Sequence, residues 1–343
     1  MQKFHHLRGH CIQRIWPIQS EKGNALARKR EFNVSHDTSC HDYCRTIASD
    51  TPAPFCDATI AQFRFGRYDP TTIVDAESFW RATWTPLGPA TVYVHDPLGK
   101  RIADFYGPGA TWLSRTVSDL WGDHDDPPKI QPSHDVVGLL QKKFGALRLG
   151  RSNTPYHEIL PAILGQRVTT REAAQQWNRI VRNHGEKAPG PNATLLLPPS
   201  PEVLAKVPYT TFHTYGIDRR RADAMRHAGR LGHFLLREWE RDVLPSEHTH
   251  ALMHLPGVGP WTAAVAGALA FGDPDALAVG DFHLKNTVAW ALHKKPRGTD
   301  DEMLTSLSTY LGQRHRIVRW IQMAGISAPA RGPRRPIVSI TQL

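Results

Sequence analysis

Cysteine and long apolar runs are the two features that this sequence has least of. The 343-residue chain holds four cysteines, Cys11, Cys40, Cys44 and Cys56, and none in the remaining 287 positions after Cys56. A disulfide framework needs cysteines spread through the fold, so disulfides are not part of this design. No apolar stretch approaches the roughly 20 residues that cross a bilayer, and histidine and arginine interrupt the start where a signal peptide would be apolar. These absences favour a cytoplasmic protein.

The cysteines lie in a segment that lacks periodicity. Residues 1–57 are polar, basic and rich in histidine and serine, and no helical or strand pattern persists in them. Cys40 and Cys44 have the composition of half a zinc site, but their spacing is poor for one. We therefore interpret 1–57 as a mostly disordered basic tail. A second basic tail is predicted at 327–343.

What the sequence does have is positive charge. Lysine and arginine outnumber the acidic residues by 42 to 32, which gives a formal net charge of +10 and a pI near 9.6. A strongly basic protein favours a polyanionic partner. With 40% hydrophobic residues, the chain is also long enough for two domains with substantial cores.

A period-two pattern begins near Ala61 and continues to residue 107 between Pro and Gly turns. It predicts a short antiparallel sheet, in which Trp80 and Trp84 face one way and Phe79 and Arg81 the other. One face should be buried under the helix predicted by TWLSRTVSDLW, and a second helix is predicted in DVVGLLQKKF. These elements form a predicted sheet-and-helix domain at 58–146, followed by a helical core at 147–326.

The segment LPGVGPWTAAVAGALAFG in that core predicts a helix, a hairpin and a second helix. Gly257 and Gly259 flank Val258 in a tight turn, and Pro260 occupies a first helical position, where no backbone donor is lost. The second helix should run from Pro260 to about Phe271. Free backbone N–H groups at such a helix start favour an anion such as a phosphate.

Asp281 follows the hairpin, twenty positions after Trp261, between an apolar run and the amphipathic stretch FHLKNTVAWALH. This position predicts a helix N-cap. No pair of carboxylates accompanies the hairpin, which argues against a metal-dependent nuclease.

These residues resemble the helix-hairpin-helix (HhH-GPD) DNA glycosylase superfamily, and within it the AlkA-type 3-methyladenine DNA glycosylases. The resemblance is carried by LPGVG at 255–259, by Trp261-Thr262-Ala263, by the loop at 271–279, by Asp281 and by ILGQ at 163–166. It implies a mainly α fold, with an all-helical two-domain core preceded by a small N-terminal α+β part that contains the antiparallel sheet.

The resemblance also implies roles for individual residues. Asp281 would be the catalytic carboxylate and Trp261 would line the base pocket, with an aromatic face for a cationic base. Arg167, with Gln166 beside it, occupies the position of the apolar wedge that fills the gap left by an everted base, and Val265 replaces the family's tyrosine. Contacts with DNA are implied for a further set in the hairpin, Gly257, Val258, Gly259 and Thr262.

The activity implied is that of a monofunctional glycosylase for alkylated purines such as 3-methyladenine and 7-methylguanine, in base excision repair. Relatives that also cut the strand carry a lysine where this chain has Trp261, and an indole cannot form their Schiff base. Two alternatives stay open: a glycosylase of the same fold for deaminated or oxidised bases, and a non-catalytic DNA-binding protein.

The partners and cofactors follow from the same resemblance. We expect double-stranded DNA containing damaged bases as the partner, no membrane, a monomeric and nucleoid-associated protein, and no cofactor or catalytic metal. Some relatives bind an iron–sulfur cluster through four closely spaced cysteines near the C-terminus, and that arrangement is absent here.

Overall fold

One antiparallel sheet and a larger set of helices make up the computed structural model, which describes residues 34–35, 45–49, 58–75, 78–95 and 101–329. The strands within these ranges are β1 (Val34–Ser35), β2 (Arg45–Ser49), β3 (Thr72–Val74), β4 (Ser78–Thr85), β5 (Gly88–His95) and β6 (Arg101–Tyr106). They lie in the order β1-β2-β6-β5-β4-β3, and neighbouring strands are antiparallel. The mainly helical fold with an N-terminal antiparallel sheet is as predicted.

The helices follow the sheet in sequence, apart from α1. They are α1 (Ala58–Ala61), α2 (Ala110–Leu120), α3 (Asp135–Phe144), α4 (Pro155–Leu164), α5 (Thr170–His184), α6 (Pro201–Lys206), α7 (Tyr209–Thr214), α8 (Arg219–Arg230), α9 (Gly232–Arg237), α10 (Pro245–Ala251), α11 (Pro260–Ala270), α12 (Leu284–His293), α13 (Asp300–Leu307) and α14 (Arg314–Met323). None of the helices in the described ranges combines the length and apolarity that a bilayer crossing requires.

The first two strands correct the prediction for the N-terminal tail. Residues 34–35 and 45–49 were predicted to lie in a disordered segment, but β2 pairs with β6 and β1 pairs with β2. β1 and β2 contain two and five residues, which is too few to show a period-two pattern in the sequence. Their pairing therefore depends on the open strand edge that β6 offers. Cys11, Cys40, Cys44 and Cys56 lie outside the described residues, as do 330–343 of the predicted C-terminal tail.

The sheet is covered on both faces in its middle. Phe79 packs with Trp112 and Leu113 of α2, which confirms the predicted buried face. The opposite face was expected to be open, yet Ala82 is fully buried there against Leu195 and Leu197. The proline-rich segment after α5 therefore covers part of the sheet.

The central helix of the molecule is α4, in which every residue is buried. It packs against α5, α8 and α11 in one apolar cluster. The small side chains of α11 allow close packing, since a Cβ added at Gly267 would lie 2.2 Å from Thr249 Oγ1 of α10. This packing fixes the start of α11 next to the end of α4.

Helix α3 belongs to a different packing unit from the one predicted. It was placed with the sheet in 58–146, but its Val137, Leu140 and Phe144 pack with residues of α12, α13 and α14. Its apolar stripe matches the C-terminal helices, which the chain reaches after the proline-containing segment 127–132. The domain boundary predicted between residues 146 and 147 therefore separates α3 from the helices against which it packs.

Candidate active site

The hairpin between α10 and α11 needs a glycine at position 257 for two reasons. Gly257 has φ +86°, a left-handed conformation that side chains disfavour. A Cβ there would also lie 2.7 Å from the Cβ of Ala224 in α8. The hairpin therefore lies directly on α8.

Neither backbone conformation nor close packing within the described part of the protein requires a glycine at position 259. Its φ of −101° and ψ of −178° are extended values that any residue adopts, and a Cβ built on it would meet no heavy atom within 4 Å. Its missing side chain leaves the backbone at the start of α11 bare on the outside of the molecule.

Backbone donors are exposed at this bare corner. Val258 N donates to Leu255 O and Ala263 N donates to Gly259 O, each at 3.0 Å. In the hairpin region of the structure as described, the amides of Gly257, Gly259, Trp261 and Thr262 have no backbone acceptor. These amides lie at the positive end of the α11 dipole, an arrangement that favours an anion, and we refer to this part of the hairpin as the anion-binding corner.

The N-cap position of α12 is occupied by His283, without a side-chain cap bond, and not by Asp281 as predicted. Asp281 lies two residues earlier in the chain. Its Oδ1 accepts from His283 N and Leu284 N, both at 2.8 Å, across the turn that leads into the helix. The preceding loop is held by Asp300, whose carboxylate accepts from Gly280 N and from Lys285 Nζ. Burial works to raise the pKa of Asp300, but these two donors outweigh it and hold that pKa below its ordinary value.

The second oxygen of Asp281 faces the hairpin. Trp261 Nε1 donates to Asp281 Oδ2 at 3.0 Å, and both side chains are partly exposed. Two residues twenty positions apart in the sequence are thereby in contact at the start of α11. The hydrogen bond sets the orientation of the carboxylate, whose other oxygen is already held by His283 N and Leu284 N.

The loop after α4 joins this arrangement through Gln166. Gln166 Nε2 donates to Gly257 O and to Thr262 Oγ1, both at 2.9 Å. The indole of Trp261 lies over Gly165, where an added Cβ would approach its Cη2 to 3.1 Å. Loop, hairpin and carboxylate form one connected surface.

Arg167 extends from that surface. It is exposed, and its φ of 59° places it in the left-handed region that an arginine rarely occupies. Such a backbone conformation is a strained one, and strain of this kind concentrates at functional positions.

Three further residues that the sequence suggested as DNA contacts or as part of a basic surface are buried in the structure. Val258 and Thr262 are buried as whole residues, at 7% and 2% exposure, so neither presents a side chain at the surface of the hairpin. Arg221 belongs to the basic helix α8, which the sequence leaves open as either a solvated face or an extension of the DNA-binding surface. Neither applies to Arg221, because it is buried and donates to Leu164 O and Gln176 Oε1. Its burial follows from helical phase, since it points from α8 towards α4.

Sequence reasoning missed Phe282. This side chain follows Asp281 directly and is 77% exposed, beside the exposed His283. The signal that could have identified it was its position immediately after Asp281, at the start of the amphipathic stretch.

Solved structures of DNA glycosylases resemble this chain. A 3-methyladenine DNA glycosylase from Archaeoglobus fulgidus has a TM-score of 0.60 at 16% identity over 77% of this chain and 93% of its own. MBOgg1 in complex with a low-affinity DNA ligand has a TM-score of 0.62 at 17% identity, over 86% of this chain and 98% of its own. An 8-oxoguanine glycosylase/lyase from Clostridium acetobutylicum, bound to DNA, has a TM-score of 0.59 at 13% identity with the same coverage.

The sequence comparisons give no such match. No family model matches the chain, and no curated protein matches it either. The class that the structural neighbours define is the helix-hairpin-helix (HhH-GPD) DNA glycosylase fold. At these identities the likeness establishes the fold, which this chain has over most of its length.

Proposed function

We propose that this protein is a monofunctional DNA glycosylase that releases alkylated purines from double-stranded DNA in base excision repair. The observation that carries the proposal is the hydrogen bond from Trp261 Nε1 to Asp281 Oδ2, which fixes a carboxylate beside the hairpin. The catalytic residue is Asp281.

The chemistry requires an anion in a fixed position. As the N-glycosidic bond breaks, positive charge grows on the sugar, and a preorganised negative charge next to it lowers the barrier. Two backbone N–H groups and the indole N–H hold the Asp281 carboxylate before substrate binds. The same carboxylate orients the attacking water.

The grip on DNA comes from the hairpin. The free amides of Gly257, Gly259, Trp261 and Thr262 bind a backbone phosphate, and they do so without reading base sequence. Arg167 enters the space that the everted nucleotide leaves in the duplex, where its guanidinium stacks and donates hydrogen bonds.

The choice of an alkylated purine depends on Trp261. Its hydrogen bond to Asp281 uses the edge of the indole, so this contact leaves the faces of the ring available. Bases such as 3-methyladenine and 7-methylguanine carry a formal positive charge, which an electron-rich indole face attracts. Their weakened glycosidic bond needs little protonation of the leaving group.

Strand cleavage is not expected from this site. Position 261 carries an indole, which cannot form a Schiff base with the sugar. Lys285, which is close in sequence to Asp281, donates to Asp300 at 3.0 Å and is held in that ion pair.

Duplexes that each contain one defined lesion test the proposal. We expect free base from 3-methyladenine or 7-methylguanine duplexes and strand breaks only after alkali is added. Release of 8-oxoguanine or uracil alone would favour the same fold acting on oxidised or deaminated bases. Strand breaks in step with base loss would contradict the monofunctional assignment, and tight binding with no base release would leave a DNA-binding protein.

A further inference from the structure

We infer that Arg220 on α8 binds a second backbone phosphate of the duplex, which extends the DNA-binding surface from the hairpin onto α8. This inference rests on the proposed function for the identity of the partner. It concerns affinity for any duplex and not the chemical step.

The hairpin lies against the N-terminal side of Ala224, because a Cβ at Gly257 would be 2.7 Å from Ala224 Cβ and 4.0 Å from Ala224 N. Residues four apart are neighbours on a helix surface, so Arg220 is one turn from Ala224 on the side towards the hairpin. Arg220 is exposed there.

The same turn of α8 also contacts the end of α4. Arg221 Nη1 donates to Leu164 O at 2.9 Å, three residues before Arg167. The first turn of α8 is therefore next to both parts of the proposed DNA-binding surface, the hairpin and the loop that carries Arg167. A duplex backbone that follows the hairpin amides passes over this corner.

The charges around Arg220 are already assigned, which leaves its guanidinium for an external anion. Asp218 accepts from the backbone of Arg220 and from Arg221 Nε. Asp223 pairs with Arg219 at 3.2 Å and with Arg226 at 3.8 Å. Among the ion pairs of the described residues none involves Arg220.

Arg219, the neighbouring arginine, shows the contrast. Its guanidinium lies 5.0 Å from the ring centroid of Tyr209 and is also bound to Asp223, so the protein itself uses it. Arg220 is charged and exposed like Arg219, but among the described residues it has neither an aromatic ring nor a carboxylate as a side-chain partner. A surface arginine with no internal partner, on the rim of an anion-binding corner, fits a phosphate.

The test is the salt dependence of DNA binding by the full chain. Each phosphate contact contributes about 0.9 to the slope of log K against log salt. For Arg220→Gln we expect the slope to fall by about 0.9 on undamaged and lesion-containing duplexes alike.

Two variants serve as controls. Arg182→Gln removes an exposed arginine from the last turn of α5, roughly 18 Å along the helix from its start at the Arg167 loop, and should leave the slope unchanged. Arg220→Lys keeps the charge and should restore the wild-type slope. An unchanged slope for Arg220→Gln, or an equal loss for Arg182→Gln, would overturn the inference.

The test of Arg220 and the test of the proposed glycosylase activity can fail independently of each other. If the wild-type protein released no base from any lesion, the glycosylase assignment would fail, whereas the slopes would still decide whether Arg220 binds DNA. If base release occurred with no change of slope, only this inference would fail.

Discussion

Two polar clusters in this molecule each place a carboxylate against nitrogen donors, and they differ in burial. The buried cluster consists of Asp69, Thr71, Arg81, His157 and Glu158, between the sheet and α4, and each of them is at most 6% exposed. The hairpin cluster consists of Gln166, Trp261 and Asp281, which are partly exposed.

The difference shows what burial does to a carboxylate. In the buried cluster Arg81 Nη2 donates to Glu158 Oε1 at 2.5 Å, and Asp69 accepts from Phe65 N, Thr71 and Trp177. Burial raises the pKa of Glu158, and Arg81 opposes that rise. These groups are occupied by one another and join the sheet to the helical core.

In the hairpin cluster the carboxylate is equally fixed but reaches the surface. Asp281 has protein donors on both oxygens and is still partly exposed. Under the proposed function the two clusters separate stability from chemistry, so variants of each should affect one and spare the other.

The largest effect is expected from Arg81→Met. It leaves Glu158 buried without its partner, which typically costs about 3–5 kcal/mol of unfolding free energy. Urea unfolding measures the loss. The double variant Arg81→Met with Glu158→Leu should recover most of it, because no unpaired charge is then buried.

A loss below about 1 kcal/mol, within the range of exposed ion pairs, would show that the buried pair does not join the two parts as described. Failure of the double variant to recover stability would point to packing of the arginine stem instead.

The next effect is expected from Asp281→Asn. Removing one electrostatic stabiliser typically lowers the rate about 100- to 1000-fold, while the amide keeps the shape of the carboxylate. Single-turnover base release should fall by that factor, and the Kd for lesion duplexes should stay close to that of the wild type.

Trp261→Phe is the matched variant. It keeps an aromatic ring and removes the donor to Asp281, so we expect a smaller rate loss, of about 10-fold, set by one lost hydrogen bond. Full activity of Asp281→Asn would show that the Asp281 carboxylate has no part in base release.

The smallest effect is the contribution that His157, in the buried cluster, makes to the pH dependence of stability. The two ring nitrogens of His157 lie 3.2 Å from Thr71 Oγ1 and 3.1 Å from Thr83 Oγ1. Burial, together with the nearby Arg81, lowers the pKa of His157 well below its ordinary value. Below about pH 6.5 the unfolded chain therefore binds a proton that the folded chain does not.

Stability that is present above pH 6.5 should then be lost as the pH falls, by up to about 1.4 kcal/mol per pH unit for this one group. The raised pKa values of Asp69 and Glu158 act in the opposite direction. The difference in pH dependence between the wild type and His157→Gln isolates the histidine, and identical pH profiles would contradict this role.

Local sequence patterns predicted much of the site. The glycine turn and Pro260 predicted the start of α11, which runs from Pro260 to Ala270. The lone acid predicted a carboxylate that accepts from backbone N–H groups near the start of α12, although the N-cap position itself is His283. Both depend on interactions within a few residues, which is where sequence patterns are informative.

Contacts between distant segments were not predicted. The hydrogen bond from Trp261 to Asp281 and those from Gln166 to the hairpin join elements that only the folded core brings together. The same holds for the burial of Arg81 against Glu158 and for the packing of α3 with the C-terminal helices. Periodicity shows that a face is buried but not which element covers it.

The most direct test is a structure of Asp281→Asn bound to a duplex that contains one alkylated purine, since the slow variant keeps the base attached. We expect a backbone phosphate on the amides of residues 257–262, Arg167 within the duplex, and an everted purine whose sugar lies beside position 281. A duplex bound on another face, or bound at the hairpin with every base still stacked, would contradict the proposed mechanism.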